Sequence, residues 1–198
     1  MLLKNFPDLN FEVQKIPEKY FLCAAGCNKA NLQFWLCYEA LEIIKNGFLG
    51  ENLISFDGSF NKYLNVIIND KLENLTIMSI ELKELPTLPE SLKVLNCNSN
   101  NMKNIIITDN ILELYCDYCL LLEEIKFNDK LEILSCDHNL INNLDNLPES
   151  IIEVSCKYTK LTQFNNIPNN LKYLNITGNQ FSDEDICNLD LHIFHFEF

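Results

Sequence analysis

Nine cysteines and three histidines are the residues of this 198-residue chain best equipped for chemistry. Cys97, Cys116, Cys136 and Cys156 recur at intervals of nineteen or twenty residues, a periodicity that belongs to a repeating fold rather than to a ligand set. Cys116-x-x-Cys119 has the spacing of half a zinc site, yet no second CxxC or HxxxH pair accompanies it. Cys23-x-x-x-Cys27 could share one face of a helix, where cysteine packs as a small hydrophobe. A nucleophilic thiolate needs an adjacent base or helix N-terminus and partial contact with solvent. His138, His192 and His195 have no loop outside the repeat from which to build such a partner. Glu123-Glu124 reads as a solvated face, and Asp183-Glu184-Asp185 as a capping turn with Ser182 as its N-cap. The residues therefore predict no enzyme, no metal and no cofactor. An odd number of cysteines at core-type positions predicts reduced thiols in a cytoplasmic setting.

The element that must position these residues is a repeat. LENLTIMSIEL from Leu72 returns as LKVLNCNSNNM from Leu92, ILELYCDYCLL from Ile111, LEILSCDHNLI from Leu131, IIEVSCKYTKL from Ile151 and LKYLNITGNQF from Leu171. A truncated copy, LHIFHFEF, starts at Leu191. Six full copies and one partial copy at a period near twenty mark a solenoid over residues 72–198. Counting the leading Leu or Ile as position one, positions one, four and six point inward. Short strands end there, and the Asn at position nine turns the chain while its amide satisfies backbone groups of neighbouring coils. The return stretches hold Leu85-Pro-Thr-Leu-Pro89, Leu147-Pro148 and Ile167-Pro168. Proline lacks an N–H and disfavours helix before it, so the convex side is expected to be extended or 3₁₀-like.

Residues 1–50 lie outside the repeat. Leu32, Trp35, Leu36, Leu41, Ile43 and Ile44 fall mainly at helical spacing ahead of Gly47, and Pro17-Glu-Lys opens a shorter helix ending near Gly26. Two helices covering the open apolar end of the first coil form an N-terminal helical cap. Residues 51–71 are a transition, either a hairpin around Asp57-Gly58 or a degenerate first repeat. No secretory leader and no membrane-spanning stretch is legible.

The runs ELPTLPESLKVLNCNSNNM and NLPESIIEVSCKYTKL resemble the twenty-residue leucine-rich repeats of bacterial effectors, and also the Asn/Ile-rich leucine-rich repeat proteins of giant viruses and amoebae. Ile80, Cys119 and Thr159 depart from the family's Asn. The resemblance implies an α/β solenoid, a leucine-rich repeat horseshoe with short parallel strands on its concave face. For a viral protein it would imply residence in the host cytoplasm. The ubiquitin-ligase members of that effector family carry their catalytic cysteine in a separate domain, so their activity is not implied for these repeats.

A formal charge of −13 and the absence of arginine argue against binding nucleic acid or anionic membrane, both of which need a cationic surface. A protein partner fits better. Positions three, five and seven face away from the core, with position eight at the rim. The residues Tyr115, Asp117, Tyr118, Asp137, His138, Lys157, Tyr158 and Tyr173 are the expected contact set, because exposed tyrosines beside charges supply binding hot spots. The expected function is non-enzymatic protein–protein recognition through the concave face. Two alternatives stand beside it: a ubiquitin-ligase-type adaptor using the N-terminal helices, and a cysteine-based metal or redox protein. The Phe-rich last copy could also pair with a second molecule, giving a homodimer through the C-terminal edge strand.

Overall fold

The structure, a computed structural model, describes residues 21–23, 54–59, 68, 70–187 and 195–197. Leucine-type residues at positions one, four and six cannot all be buried by one strand, which has only two faces. They are buried when successive coils stack in parallel. The strands β2 (Ser55–Asp57), β3 (Asn74–Thr76), β4 (Val94–Asn96), β6 (Glu113–Tyr115), β8 (Ile133–Ser135), β9 (Glu153–Ser155) and β10 (Tyr173–Asn175) form one ladder. Strand β1 (Phe21–Cys23) adds to one end of it and β11 (His195–Glu197) to the other. Every pairing in this sheet is parallel. From Leu72 to Ile176 no residue at positions one, four or six of the six copies is more than 2% exposed. The inward reading of the repeat therefore holds in every full copy.

The back wall is extended, as the prolines require. Two of its segments, β5 (Asn104–Ile106) and β7 (Glu124–Lys126), pair in parallel as a second, two-stranded sheet. Elsewhere on the back, side-chain amides stitch the coils: Asn165 Nδ2 donates to Asp145 Oδ2 at 2.9 Å, and Asn128 Nδ2 to the Thr108 carbonyl at 2.6 Å.

The corner after each strand differs from the sequence reading in one respect. The turn is made at position eight rather than nine: Ser79, Ser99, Tyr118, His138, Tyr158 and Gly178 all have φ between 51° and 73°. At the first five of these corners the position-eight N–H donates to the carbonyl of position seven in the next coil, as in Tyr118 to Asp137 at 2.8 Å and His138 to Lys157 at 2.8 Å. The position-nine amide then seals the corner. Asn100 Nδ2 donates to the carbonyls of Ile77 and Cys97, both at 2.8 Å, while its Oδ1 accepts the N–H groups of Ile80 and Leu82. Asn139 and Asn179 repeat the donor half of this arrangement. Where Cys119 and Thr159 replace Asn, Cys119 Sγ donates to the Cys97 carbonyl and Thr159 Oγ1 to the Cys156 carbonyl.

Three expectations need correction or completion. Phe21–Cys23, read as part of a helix, is a strand; the remainder of the expected helical cap lies outside the described residues. Within residues 51–71, Asp57-Gly58 is not a hairpin turn onto β3, since β2 pairs with β3 in parallel; the rest of the stretch lies largely outside the described residues. Finally, Phe196 pairs with Leu174, which puts it at register position four rather than six. The preceding coil contains the helix α1 (Asp183–Cys187), and a helix advances only about 1.5 Å per residue against about 3.3 Å for extended chain. That coil needs extra residues to span the same distance, so the last copy is set back by two. Ser182 is the N-cap as expected: its Oγ accepts the Asp185 N–H at 3.1 Å, and its own N–H donates to Asp185 Oδ2 at 3.0 Å. The Ser182 hydroxyl, which also donates to Asp185 Oδ2, and the Ser182 N–H together hold the Asp185 carboxyl below the usual range.

Candidate functional site

The left-handed corner fixes where the position-eight side chains go. Each leaves the sheet at its rim with the same orientation as its neighbours one strand away. Adjacent strands lie about 4.8 Å apart, which is close to the stacking distance of flat rings. Tyr118 and His138 accordingly stack with centroids 4.4 Å apart and planes 11° apart, and His138 and Tyr158 at 4.7 Å and 19°. The column ends on Gly178, where a β-carbon would collide with the Tyr158 ring. Both faces of His138 are used inside the stack and Tyr158 sits between His138 and Gly178, while Tyr118 stacks on His138 with one face. Tyr118 is 52% and Tyr158 53% exposed, with His138 half-buried between them.

Position seven behaves differently. Asn98 Oδ1 accepts the Asp117 N–H at 2.6 Å. Asp117 Oδ1 in turn accepts the Asp137 N–H at 2.8 Å and the Ser135 hydroxyl at 2.7 Å. Asp137 Oδ1 accepts the Lys157 N–H and the Ser155 hydroxyl, both at 2.8 Å. The ladder closes with Lys157 Nζ 3.0 Å from Asp137 Oδ2, and this carboxylate raises the Lys157 pKa above its ordinary value. Asp117 and Asp137 thus spend much of their accepting capacity on the next coil. Asp137 is buried. Their part in the face is to set charge and to hold the rungs in register beneath the rings.

On the strands themselves, the Tyr115 hydroxyl donates to Glu113 Oε2 at 2.8 Å. Partial burial and that hydrogen bond, with the negative charges of Glu113, Glu153 and Asp117 nearby, push the phenol up to about 12. Tyr173 is half-buried, and its hydroxyl accepts from Asn175 Nδ2 at 3.3 Å. The eight expected residues fall into two groups: Tyr118, His138 and Tyr158 in the rim column, and the others on or beneath the strand face beside it. Four contributors lie outside the expected contact set: Asn98, Ser135 and Ser155 bond into the position-seven ladder, and Gly178 supports the last ring. Writing the copies one under another shows all of them in the same columns, but the left-handed corner that gives those columns meaning is a backbone property.

The cysteines occupy the interior. Cys97, Cys116, Cys136 and Cys156 are completely buried, and Cys97, Cys116 and Cys156 each donate from Sγ to the carbonyl of the next strand at 3.4–3.5 Å. Desolvation raises the pKa of all four, with neighbouring thiols or acids adding to it. A thiol in that position carries neither the charge nor the access that nucleophilic or metal chemistry needs. Among the described residues no three His, Cys, Asp or Glu side chains converge as a metal site would require.

No family model matches the chain, and no curated protein matches it by sequence. Solved structures do. YopM from Yersinia enterocolitica superposes with a TM-score of 0.53 at 21% identity, over 59% of this chain and 26% of its own. The chain is thus similar to a leucine-rich repeat protein in fold, while spanning only about a quarter of the length of that neighbour.

Proposed function

We propose that this chain is a non-enzymatic protein-binding module that recognises a protein partner through the open face of its main sheet, centred on the Tyr118–His138–Tyr158 column. The observation that carries this reading is the stack itself. Three aromatic rings stand at a rim, spaced at 4.4 and 4.7 Å, on backbone that disfavours large side chains. Left-handed φ costs a residue with a β-carbon roughly 1–2 kcal/mol, and a solenoid corner needs only Gly or Asn there. Rigid aromatics with few torsions to immobilise are efficient binding anchors. The solenoid fold suits this use, since stacked coils offer an extended surface for another macromolecule.

Replacing Tyr118 and Tyr158 together by Ala removes two exposed rings without touching the core. Partner capture should weaken by a factor of ten or more while the circular dichroism spectrum is preserved. Undiminished capture by the double variant would remove the column from the account. A second copy pairing along β11 is a further partner compatible with the sheet topology, and solution mass by light scattering across a dilution series tests it: a mass that stays monomeric at the highest concentration excludes it.

A further inference from the structure

On the back wall, one inter-coil interval is stitched and its neighbour is not. Between the coils carrying β5 and β7, the three-residue pairing and the Asn128 amide close the gap. Between the coil of residues 82–90 and that of residues 101–110, the chain is tied only at the ends among the described residues. The Asn101 N–H donates to the Leu82 carbonyl at 2.7 Å, and Asn110 Nδ2 to the Glu90 carbonyl at 2.9 Å. Between those ties lies an open groove of about 960 Å³, walled by Lys83, Glu84, Leu85, Pro86 and Leu88 on one side and by Lys103, Asn104 and Ile106 on the other. Its cause is local. Lys83 and Glu84 bend the chain, and Pro86 and Pro89 fix φ near −65°, away from strand values. This coil therefore does not run as a strand alongside β5.

β5 is consequently an edge strand facing the groove. In a parallel ladder, alternate residues bond to one neighbour. The Glu124 N–H donates to the Lys103 carbonyl and the Ile107 N–H to the Lys126 carbonyl, so Lys103, Ile105 and Ile107 serve β7. Asn104 and Ile106 direct their N–H and C=O groups the other way, toward the groove, and among the described residues no hydrogen bond to another strand engages them. Beside them Ile106 is 67% exposed, and the exposed Leu121 also lines the groove. Unpaired edge groups with exposed apolar side chains are the components of strand addition.

We infer that this groove binds an extended peptide segment of a protein partner, which adds as a strand to β5 through the backbone of Asn104 and Ile106. The opposite wall decides the kind of occupant. A strand already built into a sheet or a coil cannot enter between β5 and the Leu85–Leu88 wall, so a second copy of this solenoid does not fit, whereas a single free segment does. Its alternate side chains would meet Ile106 and Leu121 on one face and Leu85 and Leu88 on the other. Lys83 and Lys103, both exposed and without a carboxylate partner within ion-pair distance among the described residues, outnumber Glu84, the one acid lining the groove, and favour a peptide with an acidic residue at that end. This site is independent of the aromatic column.

The test is a displayed library of short random peptides, selected on the full chain. Recovered peptides should alternate apolar residues and carry an acid, and should protect the Asn104 and Ile106 amides from hydrogen exchange. Ile106→Glu changes a mostly exposed side chain, and Asn104→Pro removes a donor that serves no native hydrogen bond, a change that edge strands tolerate. Each should weaken the recovered peptides at least tenfold with the fold retained. The inference is overturned if selection recovers no binder, if both variants bind as well as wild type, or if protection maps elsewhere.

Discussion

At the scale of single residues, the left-handed corner separates strain that is used from strain that is not. Ser99 adopts φ 58° and Tyr118 φ 56°, but only Tyr118 belongs to a ring stack. Ser99→Gly relieves the corner at no cost in contacts, partly offset by the greater freedom of glycine in the unfolded chain. It should raise stability by about 0.5–1 kcal/mol in urea denaturation; a loss of stability would show that the serine hydroxyl matters. Tyr115 makes a second residue-scale prediction. Its phenol titrates near 12 in the folded chain against an ordinary 10. The folded state therefore holds this proton more tightly, and the associated stability is present below pH 10 and lost as pH rises toward 12. Tyr115→Phe should flatten part of the alkaline stability loss in that window. An identical slope in both proteins would reject the assignment.

At the scale of the element, the corner amide divides the copies into unequal strengths. Asn100 serves two carbonyls and two N–H groups at once. Asn139 makes the same two donor bonds, but its buried Oδ1 has no partner. The preceding coil explains the difference: after Cys119 the Leu122 N–H turns back onto the Cys119 carbonyl at 2.7 Å, so that coil presents a tight turn where Asn100 finds two donors. Each buried backbone group left unpaired costs roughly 1–3 kcal/mol. Asn100→Ala should thus destabilise by about 3 kcal/mol or more, and Asn139→Ala by clearly less, in chemical denaturation. Equal losses would contradict the proposed accounting. The same scale shows what the sequence could convey. Leucine spacing revealed the inward positions one, four and six of every full copy from Leu72 to Ile176, because burial of periodic apolar residues is a pattern in one dimension, but not the buried back-wall residues such as Ile105, Leu122 and Phe164. The two-residue offset of Phe196 was hidden, because it depends on how much length α1 consumes in space.

At the scale of the whole molecule, the ladder of parallel strands turns a periodic sequence into columns, and each column has its own chemistry. The thiols at position six are buried in the core. In the folded protein, Cys97, Cys116, Cys136 and Cys156 should resist an alkylating reagent and react on denaturation, as read by peptide mass mapping; rapid native labelling of any of them would show that the coil opens there. Positions three, five, seven and eight were legible from the repeat as the side facing away from the core, and Tyr118, Asp117, His138 and Lys157 keep exposure there, whereas Asp137, expected as a contact residue, is buried. Their division of labour was not legible, since it follows from the corner angle, which orients the rings outward and the carboxylates toward the next coil. The groove beside β5 was likewise invisible, because Pro86 and Pro89 announce an extended wall but not the gap that wall leaves.

The central claim, recognition of a protein through the ring column, is tested most directly by placing a photo-reactive phenylalanine analogue at Tyr118, at Tyr158 and, as reference, at Glu132, an exposed residue just before strand β8. After irradiation in extracts of the source cells, the account predicts one common protein adduct from the Tyr118 and Tyr158 positions and none from Glu132. Adducts absent from both column positions, in extracts where the unmodified chain captures a partner, would contradict it.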